Sequence, residues 1–423
     1  MSQFALSKFK IAFLCLLSIF ALINLIGSFR PNSFRAGGDL LLRYNEVEVV
    51  KAGINPYAVF SNEVTLEDYT GMNDFTPNSK WRVHAYPPWE YTFLYPLTLL
   101  TRDVVGKIYF LLNLACVVLI LAMAFRLGHG LQQNVLHGCF VAVCSVSTSF
   151  AIYSAQRLQN YGLLMTVALI GMIIALNKRH DVLAGLCWAF IMVKPQIGTL
   201  FIIPLLVKRN FTAVAIAMTT CLLATIPPAL MCDRSPVELI LNIVQAGPQT
   251  PFYNPIIYFM PETTVGPMLV INALVVIAIG IILTVRLRDA AWHLVMCPAI
   301  VCSLAWTVSR NHDFNIYSVA LMLVGVHLVY TKSPRHYRWG VGLLLAFLGR
   351  WIVVLDDALF ERYDGANALY DSLIGRLLQH LPDWTGHAVR ATHYSLPMVV
   401  FIFAVLWLFS LSRTRDELLY SAG

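Results

Sequence analysis

Apolar runs of membrane-crossing length recur along most of the chain, separated by short basic segments or by longer aromatic and acidic ones. A helix needs about 20 apolar residues to cross a bilayer. The runs predict helices at 11–29, 103–125, 135–153, 161–176, 182–207, 211–230, 266–285, 290–308, 315–330, 339–355 and 396–411. The 182–207 run is interrupted by Lys194-Pro195. Proline removes a backbone donor and crowds the preceding turn. Each half holds about 12 residues, too few to span at about 1.5 Å per residue. Two short helices meeting at a bend are therefore expected. The first run, Ile11 to Ile26, follows Lys8 and Lys10. No A-x-A-like site follows it and many further spans do, so it reads as a retained first helix rather than a signal peptide.

Composition turns this pattern into a class. Of 423 residues, 58% are hydrophobic and 13% charged, against about 25% charged in a soluble protein. The expected fold is an all-α polytopic membrane protein with about 11–12 membrane helices, one broken at Lys194-Pro195, forming a single domain over 1–423. No internal repeat, low-complexity segment or separate soluble domain is visible. The net charge of +7 would raise nucleic acid in a soluble protein; here the positive-inside rule accounts for it. The nine cysteines are scattered, mostly within apolar runs and without a C-x-x-C pair, and read as small buried hydrophobes.

Charge also orients the chain. With the N-terminus cytoplasmic and 182–207 entering and returning as a hairpin, the short cytoplasmic loops hold Arg126, Lys178-Arg179, Lys208-Arg209, Arg286, Arg288, Lys332, Arg335, Arg338, Arg413 and Arg415. Only Asp181, Asp289, Asp416 and Glu417 of the 23 acidic residues share that side; the other 19 lie opposite. Lys194 then sits at an outward apex. The long outside loops are 30–102, 231–265 and 356–395, with short ones at 154–160 and 309–314. They are rich in Trp, Tyr, Pro, Asp and Glu, so chemistry is expected on the extracytoplasmic face.

Several stretches there can carry it. In "GGDLLLRYNEVEVVKAG" Leu40, Tyr44 and Val47 fall at helical spacing, with Arg43, Glu46 and Glu48 polar. That suits a short helix lying in the membrane interface. Asp39 heads it, either as an N-cap or as a carboxylate placed to take a proton from an acceptor hydroxyl. "GINPYAVF", with Tyr57, and "HAYPPWEY", with Tyr86, are stiffened by proline and read as aromatic interfacial turns. "SAQRLQNYG" packs Gln156, Arg157, Gln159 and Asn160 into a tight loop, as loop solvation or as hydrogen-bonding groups for a sugar or phosphate. Lys194 is costly within an apolar hairpin and points to a phosphate partner, the alternative being a lysine that snorkels outward. "SRNHDFN" sets Arg310, His312 and Asp313 at an outer helix junction. It reads as a salt-bridged corner, or as a phosphate clamp at Arg310 with a donor at His312. There is no D-x-D pair, Walker loop, H-E-x-x-H or G-x-S-x-G, so neither a metal nor another cofactor is expected.

The order of these elements resembles a known family. It runs from Asp39 through Gly53-x-x-Pro56-Tyr57 and Tyr86-Pro87-Pro88 to the Gln159-Asn160 loop, the Lys194-Pro195 break and the outward His312-Asp313. This arrangement is similar to integral-membrane GT-C glycosyltransferases of the GT87 type, which include polyprenol-phosphate-mannose-dependent mannosyltransferases. The resemblance covers roughly residues 10–330. It implies a GT-C helical bundle and a sugar donor on polyprenyl phosphate, mannose first and arabinofuranose next. It places Asp39 at the catalytic base and His312 near the donor phosphate. Lys194, Arg310, Tyr86, Gln159, Asn160 and Tyr57 are then expected to bind substrate. The partners implied are the lipid-linked donor, a lipid, glycan or protein acceptor, and membrane lipid, in a bacterial inner membrane. Two rivals remain at this level: a secondary transporter, and a lipid-linked glycan polymerase or ligase. The transferase reading requires Asp39, Lys194 and His312 to converge.

Overall fold

The computed structural model describes residues 38–60, 86–132, 134–246, 262–306, 315–330, 339–344 and 400–409, together with Leu16 and Ile19. The rest of the first span, most of the long loops, Arg310 and His312 lie outside these residues. Every regular element among the described residues is helical: α1 Gly38–Lys51, α2 Pro56–Phe60, α3 Pro88–Leu94, α4 Arg102–Gln132, α5 Val135–Ser145, α6 Ser149–Leu158, α7 Gly162–Asn177, α8 Asp181–Ile191, α9 Pro195–Gly198, α10 Ile202–Val207, α11 Phe211–Met231, α12 Pro236–Ala246, α13 Glu262–Arg286, α14 Trp292–Ser303 and α15 Tyr317–Tyr330. The molecule is an all-α polytopic membrane protein. Two helices, Arg102–Gly130 and Phe211–Met231, are each long and apolar enough to cross a membrane. Helices 151–158 and 162–177 together make a third apolar stretch, bent by 118°.

That bend corrects one expectation. The 135–153 helix ends at Ser145, and a one-turn 3-10 segment, Val146–Thr148, leads into α6. The polar "SAQRL" is thus helical, and Gln156 is buried rather than solvated. Its carboxamide donates to the Phe110 carbonyl at 3.2 Å, because a polar group inside apolar surroundings must find a partner. The predicted loop 231–265 also contains α12. Its Ser235-Pro236-Val237-Glu238 start carries a cap and an N1 proline, with the Ser235 hydroxyl accepting from the Glu238 N–H at 3.1 Å.

The broken run returns on itself as expected. Asn210, just past α10, donates from its amide to the Asp181 carboxylate at 2.8 Å, so the two ends of 181–210 meet. Helix α8 lies tightly on α11: a Cβ at Gly185 would come within 2.7 Å of the Ala213 carbonyl. The turns at 178–180 and 208–210 close alike, with Arg179 and Arg209 left-handed and backbone bonds of Schellman type.

Helix α1 departs most from its sequence reading. It packs against α3, the 3-10 turn Tyr95–Leu99, α4, α6 and α11. Val47, Val49 and Val50 are buried, and so are Arg43 and Glu46, expected on a polar outer face. The charged positions face inward because their partners lie there. On its outer side Tyr44 donates to the Leu100 carbonyl at 2.9 Å, and Arg102 donates to Asn45 at 3.2 Å. Gly53, at φ 80°, ends α1 in the left-handed region that glycine alone adopts without strain. The Cys232 thiol, just past α11, donates to the Ile54 carbonyl at 3.2 Å.

Candidate functional site

At 3.6 residues per turn, positions 39, 43 and 46 of α1 fall on one face. Asp39 occupies the first turn, where the helix dipole favours a carboxylate, and it is partly exposed. One turn on, Arg43 donates to Glu46 at 2.7 Å, and both are buried. Breaking such a pair strands a charge and costs about 3–5 kcal/mol. The Arg43 guanidinium stacks 3.5 Å above the centre of the Tyr86 ring. Burial alone would lower the Arg43 pKa, but Glu46, then Tyr86, Glu90 and Asp39 hold it above the ordinary value.

Tyr86 is the hub of the site. Its carbonyl precedes Pro87-Pro88 and accepts hydrogen bonds from the hydroxyls of Tyr57 and of Tyr91, the latter at 3.3 Å. Pro88 opens α3, where a missing N–H costs nothing. Burial pushes the Tyr86 hydroxyl pKa up; Lys194 and then Arg43 pull it down, while Glu90 and Asp39 push it up. Asp39 and Lys194, far apart in sequence, thus act electrostatically on the same phenol.

Lys194 stands where the helix breaks. Its backbone is out of the helical region, as a residue before proline prefers, and its side chain is 1% exposed. Three indoles satisfy carbonyls freed around the break: Trp89 donates to Met192 at 3.1 Å, Trp188 to Gly198 at 2.8 Å and Trp306 to Gln196 at 2.6 Å. A broken helix in a membrane survives when neighbours replace its lost bonds. The bend is therefore built and held, and it delivers an ammonium into the interior.

Gln159 and Asn160 lie at the other bend, between α6 and α7. Gln159 is left-handed, 1% exposed, and donates to the Gly106 carbonyl at 3.0 Å, tying the bend to α4. The Asn160 side-chain oxygen accepts from the Gly162 N–H at 2.9 Å, and its amide nitrogen is buried without a hydrogen bond. The next residue, Tyr161, stacks edge-on against Tyr109 and Phe190, at 6.1 and 6.4 Å between ring centres.

One acidic residue was missed by the sequence reading. Glu90, in α3, is 0% exposed, and neither carboxylate oxygen makes a hydrogen bond within 3.5 Å. Burial drives its pKa well above the usual range; Arg43 lowers it, Glu46 raises it, and the Tyr161 hydroxyl and Lys194 lower it. Its signal was present in "YPPWEYTFLYPLTLL", a lone charge among aromatic and apolar residues.

The structure therefore gathers Asp39, Tyr57, Tyr86 and Lys194, adds Arg43, Glu46 and Glu90, and sets Gln159 and Asn160 at an adjoining bend. Arg310 and His312 are outside the described residues. Arg43 and Lys194 are buried cations, and Asp39 is a part-exposed carboxylate one turn from Arg43. Residues 84–247, a stretch that contains Tyr86, Glu90, Gln159, Asn160 and Lys194, match the model of glycosyltransferase family 87. Neither the curated proteins nor the solved structures contain a match to the chain.

Proposed function

We propose that the chain is a glycosyltransferase of the GT87 type, the family whose model matches residues 84–247, and that it transfers a sugar from polyprenyl phosphate to an acceptor hydroxyl on the extracytoplasmic face of a bacterial inner membrane. Mannose is the first choice of sugar and arabinofuranose the second. The observation that carries the reading is the stacking of Arg43 on Tyr86, one turn from Asp39 on the same helix, with Asp39 and Lys194 acting with opposite sign on that phenol. In this reading Lys194 binds the donor phosphate, and Arg310 and His312, outside the described residues, are its further partners. Asp39 takes the proton of the acceptor hydroxyl as its oxygen attacks C1. The C1–O bond to phosphate breaks, and its electron pair leaves on the lipid phosphate. Charge grows there in the transition state, where preplaced cations stabilise it most. One displacement with one base inverts C1. The leaving phosphate is already anionic, so a protonating acid is less needed than in glycoside hydrolysis.

The experiment is to incubate purified protein with polyprenyl-phosphate-mannose and polyprenyl-phosphate-arabinose, and to compare Asp39→Asn with the native chain. Consumption of one donor is expected, with kcat for Asp39→Asn reduced about 10²–10⁴-fold, as for loss of a general base. An Asp39→Asn protein that inserts normally and keeps near-full activity rules out this base.

A further inference from the structure

Glu90 has no task in that scheme, yet it is the least compensated charged group described at the site. Its carboxyl is fully buried and makes no hydrogen bond within 3.5 Å. Arg43, the cation that acts on it most, is already committed to Glu46 at 2.7 Å. An ionised carboxyl left this way is costly to bury. Arg43 and Glu46 from α1, Tyr161 from the α6–α7 bend and Lys194 from the broken run act on it, and it acts in turn on Tyr57, Tyr86, Tyr91 and Tyr109. Helix α11 also packs on α3, where Thr92 donates to the Ala224 carbonyl at 2.5 Å.

Like-charge repulsion bears on what Glu90 must be when a phosphate arrives. Arg43 and Glu46 cancel. Lys194 and Asp39 act on Tyr86 with opposite sign. A phosphodiester brings one further negative charge, and an ionised Glu90 would bring a second within the same dry volume. We propose that Glu90 is a positioning residue carried as its neutral acid, adding no negative charge near the donor phosphate, so that the donor binds only while Glu90 holds its proton. The direction imposed by burial on this carboxyl agrees. The proposal rests on the lipid-phosphate donor of the preceding reading.

The test is a pH series of donor KM for the native protein and for Glu90→Gln, which copies the shape and charge of the neutral acid. In the native protein KM rises with pH, by up to about tenfold per unit once Glu90 ionises. In Glu90→Gln that rise is absent. Parallel profiles, or a KM raised by the substitution at the lowest pH, overturn the proposal. Thermal unfolding gives a second readout that needs no substrate. A carboxyl with a raised native pKa stabilises fully below its unfolded pKa, and that contribution is lost as pH rises through the native value. The native melting temperature is therefore expected to fall over that range and that of Glu90→Gln to stay level; equal slopes also overturn the proposal. Failure to consume either lipid-phosphate sugar, with the melting difference present, instead removes the donor reading and leaves Glu90 a neutral acid.

Discussion

Two tyrosines hold one carbonyl. Tyr57 and Tyr91 both donate to the Tyr86 carbonyl, from different elements, and the ring of Tyr86 then faces Arg43. Removing one hydroxyl leaves the carbonyl its other donor, so the loss is that of a single hydrogen bond, about 0.5–1.5 kcal/mol. Tyr57→Phe is expected to unfold at slightly lower denaturant and to raise donor KM more than it lowers kcat, since it loosens the wall of the pocket and touches no reacting atom. Steady-state kinetics beside a denaturant titration check this. Tyr57 and Tyr86 were legible in the sequence as stiff aromatic turns. Their shared carbonyl was not, because residues 29 apart come together only through the packing of α1, α2 and α3.

Among the helices, the broken run is the informative element. Lysine before proline inside an apolar stretch is visible without coordinates, and the hairpin follows from half-lengths too short to span. The three indoles that satisfy the bend come from Trp89, Trp188 and Trp306, and no local pattern pairs them with Met192, Gly198 and Gln196. The close approach of α8 and α11 rests on Gly185, where a side chain has no room against Ala213 and Ile216. Gly185→Val is expected to cost about 1–3 kcal/mol by overpacking, and to displace Lys194 with the helix that leads to it. Lower thermal stability in detergent together with raised donor KM is the expected result; wild-type values for both would show that α8 does not set the bend. The helix of Asp39 reads differently in sequence and in structure for the same kind of reason. Alternation of polar and apolar positions says that α1 has two faces, but both Arg43 and Val47 end up inside. A polar face turns inward when other chain segments supply its partners.

For the whole molecule, the prediction is one of sidedness. Basic turns on one side and acidic, aromatic loops on the other put Lys51 outside and Arg179 in the cytoplasm. Both are exposed. In a background whose native cysteines are replaced, Lys51→Cys is expected to react with a membrane-impermeant maleimide in intact cells. Arg179→Cys is expected to react only after permeabilisation. The opposite pattern would place Asp39 in the cytoplasm and end the extracytoplasmic reading.

The sequence by itself determined the class of fold, the approximate positions of the described helices and the break at Lys194-Pro195. These follow from local signals: apolar length, proline, and charges where charge is costly. Only the tertiary structure decided that Arg43 and Glu46 face inward, that Gln159 braces α4, and that Glu90 lies buried between opposing charges. The physical reason is that the state of a charged side chain depends on what surrounds it. For these residues the surroundings come from segments tens to more than a hundred positions away.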